Sequence, residues 1–406
     1  MSSVDHSPAR TSSRPDVGAL TAHTLAFVRD VVLPVEEEFD GDVTAAGGDE
    51  LRRLLQGAAR ERGLLAPHAP PEYGGLGLSM SERARVFEAA GHSLFGGMAI
   101  NAAAPDEGNI HLLAHVASQD QRDAYLAPLV EGQVRSAFAM TEPAPGAGSD
   151  PTALSTTATR VPGGWRIDGR KTFITGANGA GFFIIMARTR GEIGERGGGT
   201  MFLAPAASEG LAVGRHVPTM DRSMVGGHCE VEFDGLVVPE EAVLGEVDEG
   251  FRYAQVRLGP ARMTHVMRWL GAAVRAHEVA VEQAAGRRAF GSTIADLGMA
   301  QQMIADNEID LAATRALLDV ACAALDAGSP ASQETSIAKT FGGEAIGRVV
   351  DRAMQLCGGL GVSADLPVAR IAREVRPFRV YDGPSEVHRL AIARRAVKAA
   401  RSRTSS

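Results

Sequence analysis

Among residues able to do chemistry, Asp382 has the most telling surroundings: Arg379-Val380-Tyr381-Asp382-Gly383-Pro384-Ser385-Glu386-Val387-His388. An apolar segment ending in basic residues leads into this stretch, a Gly-Pro turn follows Asp382, and the amphipathic run Val387, Leu390, Ala391, Arg394 comes next. A carboxylate at such a helix-to-helix corner can face a cavity and act as a general base. The same residues also read as a helix cap, because Asp before Gly-Pro-Ser accepts from free N–H groups at a helix start. From this stretch alone the cap is the simpler reading.

Two further segments are suited to holding a large ligand. Ala137-Phe138-Ala139-Met140-Thr141-Glu142-Pro143, followed by Gly146-Ala147-Gly148-Ser149-Asp150, joins a short apolar strand to a Gly-rich loop with hydroxyls and free backbone donors. Gly169-Arg170-Lys171-Thr172-Phe173-Ile174-Thr175-Gly176 offers an aromatic and then a hydroxyl at a strand end. Gly359-Leu360-Gly361-Val362-Ser363-Ala364 matches G-x-G-x-x-A, but a helical pattern precedes it and Leu366-Pro367 does not open a helix, which excludes a Rossmann nicotinamide site. His111, His115 and His265 have no second ligand at a recognised metal spacing and read as core or surface residues, so no metal is expected.

The elements that must carry these residues follow from periodicity. Leu25, Val28, Val31, Val32 and then Leu51, Leu54, Leu55, Ala58 repeat at three and four, predicting a helical domain over residues 16–135 after a tail at 1–15. Pro70-Pro71-Glu72-Tyr73-Gly74-Gly75 interrupts it as a loop. Strand patterns fill 136–245: Gly164–Gly169, Phe182–Arg188, Met201–Ala204, Glu230–Phe233 and Leu236–Val238, with a mobile loop expected at Gly191–Gly199. No helices alternate with them, so an antiparallel β domain is expected. Helices return over 246–400, with Ile346, Val349, Val350, Ala353, Met354 on one face and Met303, Ile304, Ile309, Leu311 on another; 401–406 reads as a tail.

Composition bounds the rest. The chain has 406 residues, 45% of them hydrophobic and 22% charged, with a formal charge of −8 and no basic block, which argues against nucleic acid as a partner. Cys229, Cys322 and Cys357 are far apart and odd in number, so a reducing cytoplasm is expected rather than disulfides. No apolar leader or membrane span is read in the chain.

Taken together, the ordered segments resemble the acyl-CoA dehydrogenase flavoproteins over nearly the whole length. The matching motifs are Pro71-Glu72-Tyr73-Gly74-Gly75, Met140-Thr141-Glu142-Pro143, Gly169–Thr175, Val237-Val238-Pro239, Arg287-Arg288-Ala289-Phe290-Gly291, Gln355–Gly361 and Tyr381-Asp382-Gly383. The chain also resembles one branch, family members ten and eleven, through Ala104-Pro105-Asp106-Glu107-Gly108-Asn109, Arg257-Leu258-Gly259-Pro260-Ala261-Arg262 and Asp382–His388. The resemblance implies an α+β fold: an all-α N-terminal domain, a β domain and a C-terminal four-helix bundle. It implies FAD against Phe138, Met140, Thr141, Phe173 and Thr175, with Ser149 near both cofactor and substrate. Arg287, Phe290, Gln355, Gly358 and Gly359 match positions that reach FAD across a subunit interface, implying a homodimer or homotetramer; Pro384 and Glu386 are further cofactor candidates. Tyr381, Gly383 and Arg262 match substrate-side positions, the last also readable as a surface or dimer ion pair.

The chemistry the resemblance implies is fatty acyl-CoA α,β-dehydrogenation to trans-2-enoyl-CoA, a carboxylate taking the α-proton and the flavin the hydride, with an electron-transferring flavoprotein as acceptor. Most of the family has Glu before Gly where this chain has Asp382, and the alternative base position is Ala261. A displacement of about 1 Å costs roughly 10²-fold, so a backbone shifted to suit Asp is expected. A nitroalkane-oxidase-like enzyme using the same Asp, and a non-catalytic acyl-CoA-binding protein, are the alternatives. Ala144-Pro145 lengthen the loop before Gly146, and Ala289 stands where the family often has Thr.

Overall fold

Residues 16–404 are described in a computed structural model of the chain. The tail expected at 1–15 lies outside them. Helix α1 (Val17–Phe27) runs through a π-turn at Val28–Val32 into α2 (Leu33–Glu38), followed by α3 (Asp49–Glu61), α4 (Met80–Ala90), α5 (Gly96–Ala99), α6 (Asp106–Val116), α7 (Gln119–Gln121) and α8 (Ala127–Val130). The continuous helical run Val17–Glu38 is long and apolar enough to cross a membrane by length and composition, contrary to the sequence reading. Its residues Phe27, Val28, Val32 and Glu36 are nevertheless buried against the rest of the chain.

The middle of the chain supplies β1 (Ser136–Ala139), β2 (Thr157–Val161), β3 (Gly164–Thr175), β4 (Phe182–Arg188), β5 (Gly199–Pro205), β6 (Leu211–His216) and β7 (His228–Pro239). They form one sheet in the order β1-β4-β2-β3-β7-β6, with β5 on β4. The sheet is mixed rather than wholly antiparallel: β1 pairs β4 in parallel from Ser136↔Phe182 to Ala139↔Ile185, and β2 meets β4 in parallel at Thr157↔Arg188. These partners are not joined by hairpins, so no tight turn imposes their direction. β4 is buried on both faces. Phe182, Ile184 and Met186 pack toward α6 and α8, while Phe183, Ile185 and Ala187 join Trp165, Phe202 and Phe233 on the other side. The two segments read near 230–238 are one strand, because Asp234-Gly235, with Gly235 at φ +63°, makes a bulge between Phe233↔Gly169 and Leu236↔Ile167 rather than a turn.

The C-terminal helices are α9 (Gly250–Gly286), α10 (Gly298–Asp326), α11 (Ser332–Cys357), α12 (Val368–Val375) and α13 (Ser385–Thr404), with a hairpin β8/β9 (Arg288–Ala289, Ser292–Thr293) after α9. The helix α13 thus extends through residues read as tail, since Ala, Arg and Lys continue it without Gly or Pro. A shared apolar core links α4, α9, α10, α11 and α12. α9 and α4 touch backbone to backbone: a Cβ on Gly271 would lie 2.0 Å from the Glu88 carbonyl, and one on Gly91 2.0 Å from that of Arg268. Only glycine permits this crossing, which seats the middle of α9 against the N-terminal helices.

Candidate active site

The corner before α13 is built by donors from three helices. A 3₁₀ turn (Arg376–Arg379) carries the chain out of α12, and Asp382 and Gly383 then take φ of +54° and +92°. A left-handed Asp holds only where its surroundings impose it. The Asp382 carbonyl accepts from Arg262 Nε of α9 at 2.9 Å and from His388 Nε2 of α13 at 3.2 Å. Buried Lys339 of α11 donates through Nζ to the Gly383 carbonyl at 2.7 Å and the Phe378 carbonyl at 2.9 Å. Burial pushes Lys339 down to about 8, partly offset by Asp382. Burial likewise lowers His388 to about 4, which leaves its ring neutral.

The Asp382 carboxylate faces α9: Oδ2 lies 3.3 Å from His265 Nε2. Burial would raise its pKa, but the His265 hydrogen bond and the charges of Arg257 and Arg262 hold it below the usual carboxylate range. Asp382 is therefore held as the anion. Ala261 sits one turn before His265 and is buried. Sequence reading treats His265 as a core residue; the signal that it is more, a proton-accepting partner far along the chain, is visible only in three dimensions.

The three branch-like motifs converge here. Arg257 Nε donates to Asn109 Oδ1 at 2.7 Å and its NH2 to the Pro105 carbonyl at 3.3 Å. Its guanidinium lies 4.1 Å from the Phe138 ring centroid, while its charge acts on Asp382. Arg257 thus ties the Asp382 corner to the start of the Gly-rich loop. Arg262, read as a substrate-side residue or a surface or dimer ion pair, commits its Nε to the Asp382 carbonyl.

That loop is organised by one buried ion pair, Lys171–Glu142 at 2.9 Å, with both side chains fully enclosed. Glu142 accepts from the backbone N–H groups of Ala147, Ser155 and Thr156 and from the Ser155 hydroxyl, and Lys171 also donates to the Met140 carbonyl. Burial alone would raise Glu142, but Lys171 and these donors lower it; burial also lowers Lys171. Two residues on, a register shift between Lys171 and Ile174 turns Phe173 out at φ +55°, and it is 55% exposed. Thr175 Oγ1 lies 2.9 Å from His228 Nδ1, whose Nε2 is 2.8 Å from Asp221. Met140, Thr141 and Phe138 are half-buried around this opening, and Ser149 is exposed beyond it.

The other candidates form an exposed cluster at the helix ends. Arg287 lies against Gly358, where a Cβ would meet its NH1 at 2.7 Å, Gln355 and Gly359 are exposed, and Phe290 at φ +54° is 91% exposed. Tyr381 is half-buried and takes the Trp269 indole N–H on its hydroxyl; Pro384 and Glu386 open α13, with Glu386 exposed. Gly359–Val362 of the Gly-rich run lie in a 3₁₀ turn after α11, with no strand before it.

Family models for the N-terminal, middle and C-terminal domains of acyl-CoA dehydrogenases match residues 15–133, 137–236 and 248–397. The chain belongs to the acyl-CoA dehydrogenase family, whose members carry out flavin-dependent dehydrogenation of acyl-CoA with FAD. It is 35% identical to FadE2 of Mycobacterium tuberculosis, an acyl-CoA dehydrogenase by its name, over 91% of this chain and 92% of that one. It is 34% identical to (R)-benzylsuccinyl-CoA dehydrogenase of Thauera aromatica over 92% of each. Human acyl-CoA dehydrogenase family member 11 is 32% identical over 90% of this chain, which spans 48% of that protein. The solved butyryl-CoA dehydrogenase from Megasphaera elsdenii superposes with a TM-score of 0.84 at 27% identity, covering 95% of this chain and 99% of that one.

The residues present fit FAD. An outturned aromatic on a strand bulge, a hydroxyl two residues on and a loop pinned by a buried ion pair make an open shelf for a planar ring.

Proposed function

We propose that this chain is an acyl-CoA dehydrogenase in which Asp382 removes the α-proton of an acyl-CoA, giving trans-2-enoyl-CoA. The observation that carries the reading is the half-buried, ionised Asp382 carboxylate on a corner fixed by Lys339, Arg262 and His388, with Ala261 at the alternative base position. FAD, when bound, supplies the hydride acceptor. Phe138, Met140, Thr141, Phe173 and Thr175 would hold its ring system, and Glu142 with Lys171 fixes the loop that carries Ser149 toward it.

The chain's own contribution is to hold a carboxylate and a backbone N–H together at one rigid corner. An α-proton of a thioester is weakly acidic, so its removal needs N–H donors for the developing enolate oxygen as well as a base. The left-handed backbone at Asp382 leaves its own N–H available to serve as one such donor. Arg262 keeps the corner rigid through the Asp382 carbonyl, and Tyr381 and Gly383 flank the acyl group. Arg287, Phe290, Gln355, Gly358 and Gly359 would reach the FAD of a second subunit, so the working unit is a homodimer or a dimer of dimers. Electrons pass on to an electron-transferring flavoprotein. The three cysteines are buried and unpaired, consistent with a cytoplasmic setting.

Purified protein tests this reading. Bound yellow flavin bleached anaerobically by at least one member of an acyl-CoA panel, with slow peroxide formation in air, is expected. Persistent colour with every thioester contradicts it, and rapid peroxide formation would point to an oxidase.

A further inference from the structure

Building on the reading of Asp382 as the base, we propose that His265 is a positioning residue: it tethers one carboxylate oxygen of Asp382 and so aims the other at the substrate. The ring is fixed on every side. His265 is 4% exposed, with ring centroids of Tyr381 at 4.8 Å and Phe378 at 5.7 Å. Its Nδ1 lies 3.0 Å from Arg268 NH2, and a guanidinium only donates, so Nδ1 is the acceptor. The proton of the neutral imidazole is then on Nε2, which lies 3.3 Å from Asp382 Oδ2. Arg268 is itself anchored, NH1 donating to the Ala102 carbonyl.

This chain of contacts gives a short side chain what a longer one would obtain from its own packing. Asp382 has two side-chain torsions; the fixed corner sets its Cβ, and the His265 tether on Oδ2 removes the remaining freedom. Oδ1 is left as the proton acceptor. The charged and titratable groups facing the pair are Arg257, Arg262 and Arg268 of α9, Glu107 of α6, Lys339 of α11, His388 of α13, and Tyr381. Removing the His265 donor leaves burial less opposed, so Asp382 holds its proton to higher pH.

The test compares His265→Leu with His265→Gln, whose side-chain amide presents a donor near the Nε2 position. Anaerobic flavin reduction is followed at pH 7 with the acyl-CoA that reduces wild type fastest, and Tm and flavin content are recorded for each variant. His265→Leu is expected to lower the maximal reduction rate by about 30-fold or more, with KM changed less than about threefold. His265→Gln is expected to restore most of the rate, and it keeps the inference testable if the leucine variant does not fold. A leucine variant with the wild-type rate, or a folded glutamine variant as impaired as the leucine one, overturns the positioning role. Asp382→Asn separates the two readings. If it reduces like wild type, the base assignment fails and this inference with it; if it is inert while His265→Leu is unimpaired, only the positioning role fails.

Discussion

Lengthening the base by one methylene is the most informative perturbation of the corner. Asp382→Glu adds a bond of about 1.5 Å at a position whose backbone cannot readily give way, because Lys339, Arg262 and His388 hold its carbonyl and the next. The extra length therefore moves the carboxylate itself, past the His265 nitrogen that now lies 3.3 Å from Oδ2. If a 1 Å misplacement costs about 10²-fold, roughly 2.7 kcal/mol of transition-state stabilisation, Asp382→Glu should reduce its flavin about 100-fold more slowly while keeping its Tm within a few degrees. Anaerobic stopped-flow absorbance measures the rate and thermal melting the stability. A glutamate variant as fast as wild type would refute the idea that the corner is matched to the shorter side chain.

The buried pair under the Gly-rich loop makes a stability prediction. Lys171→Met leaves Glu142 enclosed without its cation and should lower unfolding stability by about 3–5 kcal/mol with weakened flavin retention, read by urea unfolding and by flavin release on a desalting column; an unchanged midpoint would contradict the role given to the pair. A third prediction concerns Glu374 of α12, which accepts from the Arg222 and Ser223 backbone N–H groups and the Ser223 hydroxyl. Burial raises it to about 7, against an ordinary 4.5, so the folded state binds the extra proton between these values. The stability it contributes is complete below about pH 4.5 and lost as pH rises through about 7. Glu374→Gln should thus match wild type near pH 4.5 and be more stable by up to about 3 kcal/mol at pH 8; a difference of equal size at both pH values would refute this.

Much of the architecture is legible in the residues. The continuous apolar run of β4 and the α11 face Ile346, Val349, Val350, Ala353 are local patterns, and they lie where those patterns put them. The parallel β1–β4 pairing is not local, and the exposed edge strand β6 carries no burial pattern to read. Leu54 and Ile309 fit a helical repeat yet are 66% and 64% exposed, since periodicity counts apolar residues without knowing which face meets a neighbour. Within the site, Asp382, Phe173 and Glu142 stand in recognisable stretches. The groups that give them their chemistry, His265, Lys339 and Arg257, are joined to them only by folding, and their motifs carry no sign of the partner.

The central claim is that Asp382 takes the α-proton. Asp382→Asn keeps size and packing but removes the negative charge, so anaerobic flavin bleaching by acyl-CoA should fall by about 10³-fold or more while bound flavin and Tm stay near wild type. Bleaching within a few-fold of the wild-type rate would contradict the claim.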